Sequence, residues 1–317
     1  MTEPRRIIID TDPGVDDAMA IFYALSSPEL EVVGLTTVFG NGWIDVTTRN
    51  ALALLELAAR PDIPVAKGAG QPILSTFDEP AEMVHGADGQ GNAGIADPAG
   101  EPVSISAAEF IVRTVMDSPG EITLVPVGPF TNIALAMLIE PRLTDNVREI
   151  VVMGGNAFTE GNVTPSGEAN VIHDAEAADI VFGASCPITM AGLDVTTTVN
   201  MTRADLARIG ELGNPRADHL ARILPYYLAF HEKYDLDGIH VHDSTAISYL
   251  LAPDAFTWVE QPVRVDTGQS LGRGKTIASS GHAGDESGWQ GRRPVRILTG
   301  ADSRRLVELE LSRLGGR

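Results

Sequence analysis

Between Arg6 and Ala20 the chain reads RIIIDTDPGVDDAMA, in which a continuous β-branched run, Ile7 to Ile9, meets four carboxylates, Asp10, Asp12, Asp16 and Asp17. A run with no polar alternation marks a strand covered on both faces, as in a parallel sheet. Pro13 and Gly14 then interrupt it. From Asp16 the pattern DDAMAIFYAL has helical spacing, with two acidic residues near the amino end where the helix dipole favours negative charge. Open α/β folds bind ligands outside the carboxyl ends of their strands, and the carboxylates fall there. This segment therefore predicts an α/β chain with an acidic site at the exit of its first strand.

Four carboxylates so close repel one another, and a divalent cation is the simplest counter-charge. Aspartate oxygens with no nearby cysteine suit a hard ion, Ca²⁺ or Mg²⁺, rather than zinc. The plain alternative is a solvated helix start with surplus charge. An EF-hand is excluded, because counting from Asp10 the glycine position holds Val15 and the bidentate glutamate position holds Ile21.

Strand and helix patterns alternate beyond this point. Glu31 to Asn41 and Ile63 to Gly68 read as strands around a helix at Thr47 to Arg60. Strands at Glu121 to Gly128 and Arg148 to Gly155 follow the helix Ser106 to Ser118 and flank the helix Thr131 to Ile139. A helix at Asp174 to Ala184, a strand at Pro187 to Val195, and helices at Arg203 to Gly210, Arg216 to Tyr234 and from His242 come next. Three strands near Thr257 to Val265, Lys275 to Ile277 and Val295 to Leu298 precede a terminal helix, Asp302 to Leu314. No linker-like composition shift or internal repeat divides the chain, so one domain over residues 1–317 is expected, a mostly parallel sheet flanked by helices with an elaborated carboxy-terminal half. The irregular stretch Gly70 to Pro102 contains GQGNAG. It satisfies G-x-G-x-x-G, but no strand precedes it and no clear helix follows, so a dinucleotide site is rejected.

Charge narrows the partners. With 23 basic against 43 acidic residues, the net charge of −20 works against nonspecific attraction to nucleic acid or anionic membrane and leaves a neutral small molecule as the natural ligand. Cys186 is the only cysteine, which removes intramolecular disulfides and thiolate metal clusters. No signal-peptide pattern opens the chain and no apolar run approaches the roughly 18 residues of a membrane span, so cytoplasmic residence is expected.

Four segments resemble the nucleoside hydrolases, enzymes that cleave the N-glycosidic bond of ribonucleosides: DTDPGVDDAMA, then VPVGPFTNIA (Val125 to Ala134), GNVTPSGEAN (Gly161 to Asn170) and GIHVHDSTAISYL (Gly238 to Leu250). They occur in the family's order and span nearly the whole chain. The resemblance implies a Rossmann-like fold, a homodimer or homotetramer, and Ca²⁺ held by Asp12, Asp17, Asp243 and the Val127 carbonyl. It implies Asp12 as the base for water, His242 as proton donor to the departing base, Asp16, Asn162, Glu168 and Asn170 as binders of the sugar hydroxyls, and Asn41 as a further substrate contact. His85 matches a histidine in a loop over the base, and Tyr234 falls where some relatives place a base-contacting tyrosine; Tyr226, Tyr227 and His231 read as core or rim packing. Three departures stand out: Val127 where many relatives have Thr, Ala169 in place of Phe, and Ser244 in place of Pro.

Two other readings stay open on the residues alone. Asp-x-Asp after a first strand also opens the haloacid-dehalogenase-like phosphatases, although Pro13-Gly14 replaces their usual continuation. A Ca²⁺-dependent nucleoside or ribose binder without turnover is the other.

Overall fold

The computed structural model describes residues 3–281 and 287–316. Strands β1 (Arg5–Thr11), β2 (Leu30–Thr37), β3 (Val65–Lys67), β4 (Ile122–Pro126), β5 (Glu149–Met153), β6 (Ile188–Ala191), β7 (Asn200–Met201), β8 (Ile239–His240), β9 (Phe256–Val265), β10 (Thr276–Ala278) and β11 (Pro294–Ala301) build two sheets. Nine of them form the central sheet, in the order β10-β9-β11-β6-β5-β4-β1-β2-β3. Pairing is parallel from β11 through β6 to β3, and β9 runs antiparallel to both β11 and β10.

The uninterrupted apolar strands arise because helices cover both faces. Ile7 and Ile9 join one hydrophobic layer with Met19, Phe22 and Tyr227, while Ile8 joins the opposite layer with Phe130 and Ile133. Strand periodicity thus divides three consecutive isoleucines between two cores. Each is fully buried, which is worth about 1.5–3 kcal/mol per side chain.

The order of strands also locates the site. From β1 the chain winds through β2 and β3 toward one edge and then returns to β4 on the other side of β1, so the direction of winding reverses between β1 and β4. A crevice at such a switch point lies outside the strand ends. Asp12 leaves β1 there and Val127 leaves β4, and the Val127 N–H donates to the Asp10 carbonyl at 2.8 Å. Asp243 arrives from the other half of the chain as the first residue of helix Asp243–Leu251, which packs on helix Val15–Leu25.

Several elements differ from expectation, among them the two-residue strands β7 and β8 and the short helix Leu143–Asn146. The strand from Pro187 stops at Ala191, because the Leu193 N–H donates to the Gly155 carbonyl at 2.8 Å and the chain turns into the short helix Leu193–Thr196. The helix expected from Asp174 is preceded by another, Ala169–His173. Asp174 separates the two and caps the second, accepting from the Ala177 N–H at 3.1 Å. Within the irregular stretch, Glu82–His85 makes one helical turn. Among the described residues no helix is long and apolar enough to cross a membrane.

Candidate active site

The carboxylates at the exit of β1 occupy different environments. Asp10 is fully buried behind the others, with Oδ1 accepting from Thr36 Oγ1 at 2.5 Å and Asn132 Nδ2 at 2.8 Å. Asp12 Oδ2 accepts from the Asn41 N–H at 2.7 Å, while its Oδ1 is buried with no hydrogen-bond partner. Glycine is required beside it: a Cβ on Gly128 would lie 2.5 Å from that free oxygen. Asp17 is held from both sides, by Thr11 Oγ1 at 2.5 Å on one oxygen and by the Gly14 N–H and Asn41 Nδ2, each at 2.9 Å, on the other. Asp16 Oδ2 accepts from the Tyr227 hydroxyl at 3.0 Å, and its Oδ1, 3.8 Å from His85 Nδ1, is also buried without a hydrogen-bond partner.

Asp16, Asp17 and Asp243 each offer a carboxylate oxygen within 4.8 Å of the others. Burial, then repulsion from Asp17, pushes the Asp12 carboxyl well above the usual carboxylate range. Asp243 is raised for the same reasons, with Asp16 the largest source of repulsion. Asp17 rises to about 6 through burial and the charge of Asp16, against the opposing hydrogen bonds from Thr11 and Gly14. Partnerless oxygens in a dry acidic cluster are what a hard cation satisfies, so the donor set fits a metal ion.

Three residues that the resemblance assigns to the sugar come from the loop after β5. Glu168 Oε2 accepts from the N–H groups of Gly155 at 2.9 Å and Val171 at 3.1 Å, and Oε1 from that of Asn170 at 3.0 Å. Burial still raises its carboxyl to about 7, with these donors opposing. Asn170 Nδ2 donates to the Val127 carbonyl at 2.7 Å and to the Met153 carbonyl at 3.1 Å. Asn162 stands exposed at the rim, its Oδ1 accepting from the Ala169 N–H at 3.0 Å.

Rings line the other side. His85 is buried, its Nδ1 accepting from the Val15 N–H at 3.2 Å and its ring stacked on Tyr227 with centroids 5.6 Å apart. Burial lowers it to about 4, so the ring is neutral with its proton on Nε2. His242 Nδ1 shares a hydrogen bond with Thr196 Oγ1 at 2.8 Å, and burial holds this ring well below the ordinary histidine value. His231 and His240 continue the row, with 5.5 Å between successive centroids from His231 to His240 and from His240 to His242.

The structure thus gathers Asp12, Asp16, Asp17, Asn41, His85, Val127, Glu168, Asn170, His242 and Asp243 about the β1/β4 crevice. Tyr234 stands outside it, 71% exposed and packed edge-on to Phe230. The tyrosine that touches the acidic cluster is Tyr227, read from sequence as packing; its partner Asp16 is 211 residues away, so no local pattern signals the bond. Thr11, Thr36 and Asn132 also hold cluster oxygens; Thr11 and Asn132 lie within the acidic and TNIA segments, whereas Thr36 lies on β2 and has no such signal.

The family model for inosine-uridine preferring nucleoside hydrolases matches residues 7–308. The chain belongs to that family. This nucleoside hydrolase is 42% identical over 314 residues to a protein of Arabidopsis thaliana named probable uridine nucleosidase 2, covering 98% of this chain and 97% of that one. It is 40% identical over 311 residues to the pyrimidine-specific ribonucleoside hydrolase RihA of Salmonella gallinarum, covering 97% of each. The solved structure of the plant nucleoside hydrolase PpNRh1 superposes with a TM-score of 0.95 at 38% identity, over 98% of this chain and 99% of that one. The hydrolase is thus an N-glycosidase of ribonucleosides on an α/β fold.

Proposed function

We propose that the whole chain works as one catalytic unit that splits a ribonucleoside into ribose and free base, with Asp12 as the base for water and His242 as proton donor to the leaving group. The observation that carries this is the free, buried Asp12 Oδ1 at the β1/β4 crevice. Asp12, Asp17, Asp243 and the Val127 carbonyl would hold a calcium ion, which when bound supplies the positive charge that fixes sugar hydroxyls and water.

The chain's own groups account for the rest. Cleavage of the ribosyl C–N bond builds positive charge on the sugar, as in O-glycoside hydrolysis. Asp16 and Glu168 place negative oxygen beside that charge, and Asn41, Asn162 and Asn170 offer amide donors and acceptors to hydroxyls. Burial and the charge of Asp17 raise the Asp12 carboxyl above the usual carboxylate range, which makes its carboxylate a stronger base toward water. As the imidazolium, His242 would pass a proton to a base nitrogen or oxygen and return to the neutral ring, with His85 as helper. The names of the relatives support uridine as the first substrate to test. Cytoplasmic residence and a homodimer or homotetramer belong to the same reading.

Turnover of inosine, uridine and p-nitrophenyl riboside by Asp12→Ala and His242→Ala tests it. Asp12→Ala should lose about three orders of magnitude on all three, and His242→Ala should lose most on the two nucleosides, whose bases leave poorly. An unimpaired Asp12→Ala enzyme would contradict the assigned base. Phosphate release from p-nitrophenyl phosphate would favour a phosphatase, and binding without reducing-sugar release a silent binder.

A further inference from the structure

The GQGNAG segment has no part in the chemistry above, yet it is built closely into the site. Gln90, at its second position, is fully buried. Its Nε2 donates to the carbonyls of Gly14 and Gly89, each at 3.0 Å, and makes a longer approach of 3.4 Å to that of Pro13. An amide oxygen only accepts, so the 2.8 Å contact between Gln90 Oε1 and His219 Nε2 is donated by the imidazole. His219 Nδ1 is then free to accept from Arg222 Nη2 at 3.1 Å. Asn50 Nδ2 adds bonds to the Pro13 carbonyl at 3.1 Å and the Asp88 carbonyl at 2.9 Å.

The glycines serve this arrangement and not a phosphate. Gly91 has φ 63°, and a Cβ there would meet the Ile223 carbonyl at 2.9 Å, so the loop can lie against helix Pro215–Glu232 only without a side chain. The backbone of the turn between Asp12 and Asp16 is thereby held by side chains in both senses. Its carbonyls at Pro13 and Gly14 go to Asn50 and Gln90, and its N–H groups at Gly14 and Val15 go to Asp17 and His85. One amide thus ties the Pro13-Gly14 turn, its own loop and His219 to a single point, and what it imposes is geometry.

We infer that Gln90, oriented by His219, is a positioning residue for the hydrolysis: it fixes the Pro13-Gly14 turn and so aligns Asp16, Asp17 and His85. This rests on the hydrolase reading. The test compares Gln90→Met, which keeps length and burial but removes the amide, with His219→Gln, which keeps a donor to Gln90, and His219→Leu, which does not. For uridine, kcat of Gln90→Met and His219→Leu should fall about tenfold or more with KM within about threefold, and His219→Gln should stay within about threefold of the unaltered enzyme. A Gln90→Met enzyme with unchanged kcat, a loss confined to KM, or His219→Gln as slow as His219→Leu overturns the inference. If Gln90→Met does not fold, the His219 pair decides alone. Should the unaltered protein split no nucleoside, the hydrolase reading fails, and the positioning claim is judged by amide exchange at Gly14 and Val15. Gln90→Met should speed that exchange about tenfold, and unchanged exchange refutes the positioning.

Discussion

Glu310→Gln would remove an ionisable group buried directly behind the carboxy-terminal arm of the acidic cluster. Glu310 is 1% exposed on helix Ser303–Leu314, and its Oε1 accepts from Ser244 Oγ at 2.7 Å, one residue beyond Asp243. Burial raises its carboxyl from 4.5 to about 7, with the Ser244 bond opposing. Between those two values the folded chain holds a proton that the unfolded chain has released. The group's contribution is therefore fully present below pH 4.5 and is lost as pH rises toward about 7. At 1.36 kcal/mol per unit, the whole interval corresponds to about 3 kcal/mol. Glutamine still accepts from Ser244 and does not ionise. Urea unfolding of both proteins at pH 5 and pH 8, with chelator throughout, should show the variant gaining about 2–3 kcal/mol on its parent between the two pH values. The corresponding gain in melting temperature is about 4 °C for a chain of this length. A stability difference that is the same at both pH values would refute the reasoning, since every other titrating group is shared.

Other outcomes follow from the site. Removing calcium with a chelator should abolish turnover and lower the melting temperature, and added Ca²⁺ should restore both; activity that persists in excess chelator excludes the proposed ion. Gly128→Ala places a Cβ 2.5 Å from Asp12 Oδ1 and 2.9 Å from Val38 Cγ1. It should cut kcat about 100-fold and cost about 1–3 kcal/mol in denaturant unfolding, and near-normal turnover would show that the placement of Asp12 is not limiting. Tyr227→Phe deletes the hydroxyl that donates to Asp16. It should lower kcat/KM about tenfold with little loss of melting temperature, and an equal kcat/KM would remove Asp16 from the sugar-binding set.

The parallel core was legible because strands buried on both faces are written as continuous β-branched runs, as at Ile7 to Ile9. Helices with clear starts were legible too: Arg203–Gly210 and Thr131–Ile139 have the predicted bounds. What escaped depends on distant partners. The two-residue strands Asn200–Met201 and Ile239–His240 carry no periodicity and exist only through each other. The end of the strand at Ala191 is decided by a bond to Gly155, and the tie between Tyr227 and Asp16 joins opposite halves of the chain. Gln90 was visible only as one letter of a motif whose usual meaning did not apply.

The acidic cluster has a bearing on how the protein is made. Asp12, Asp16 and Asp17 precede the second strand, whereas Asp243 follows the eighth, so a ribosome must deliver three-quarters of the product before the full set of oxygens can exist. For the ion proposed here, a nascent or truncated product would lack tight affinity, and loading would be a late event that reports completed assembly.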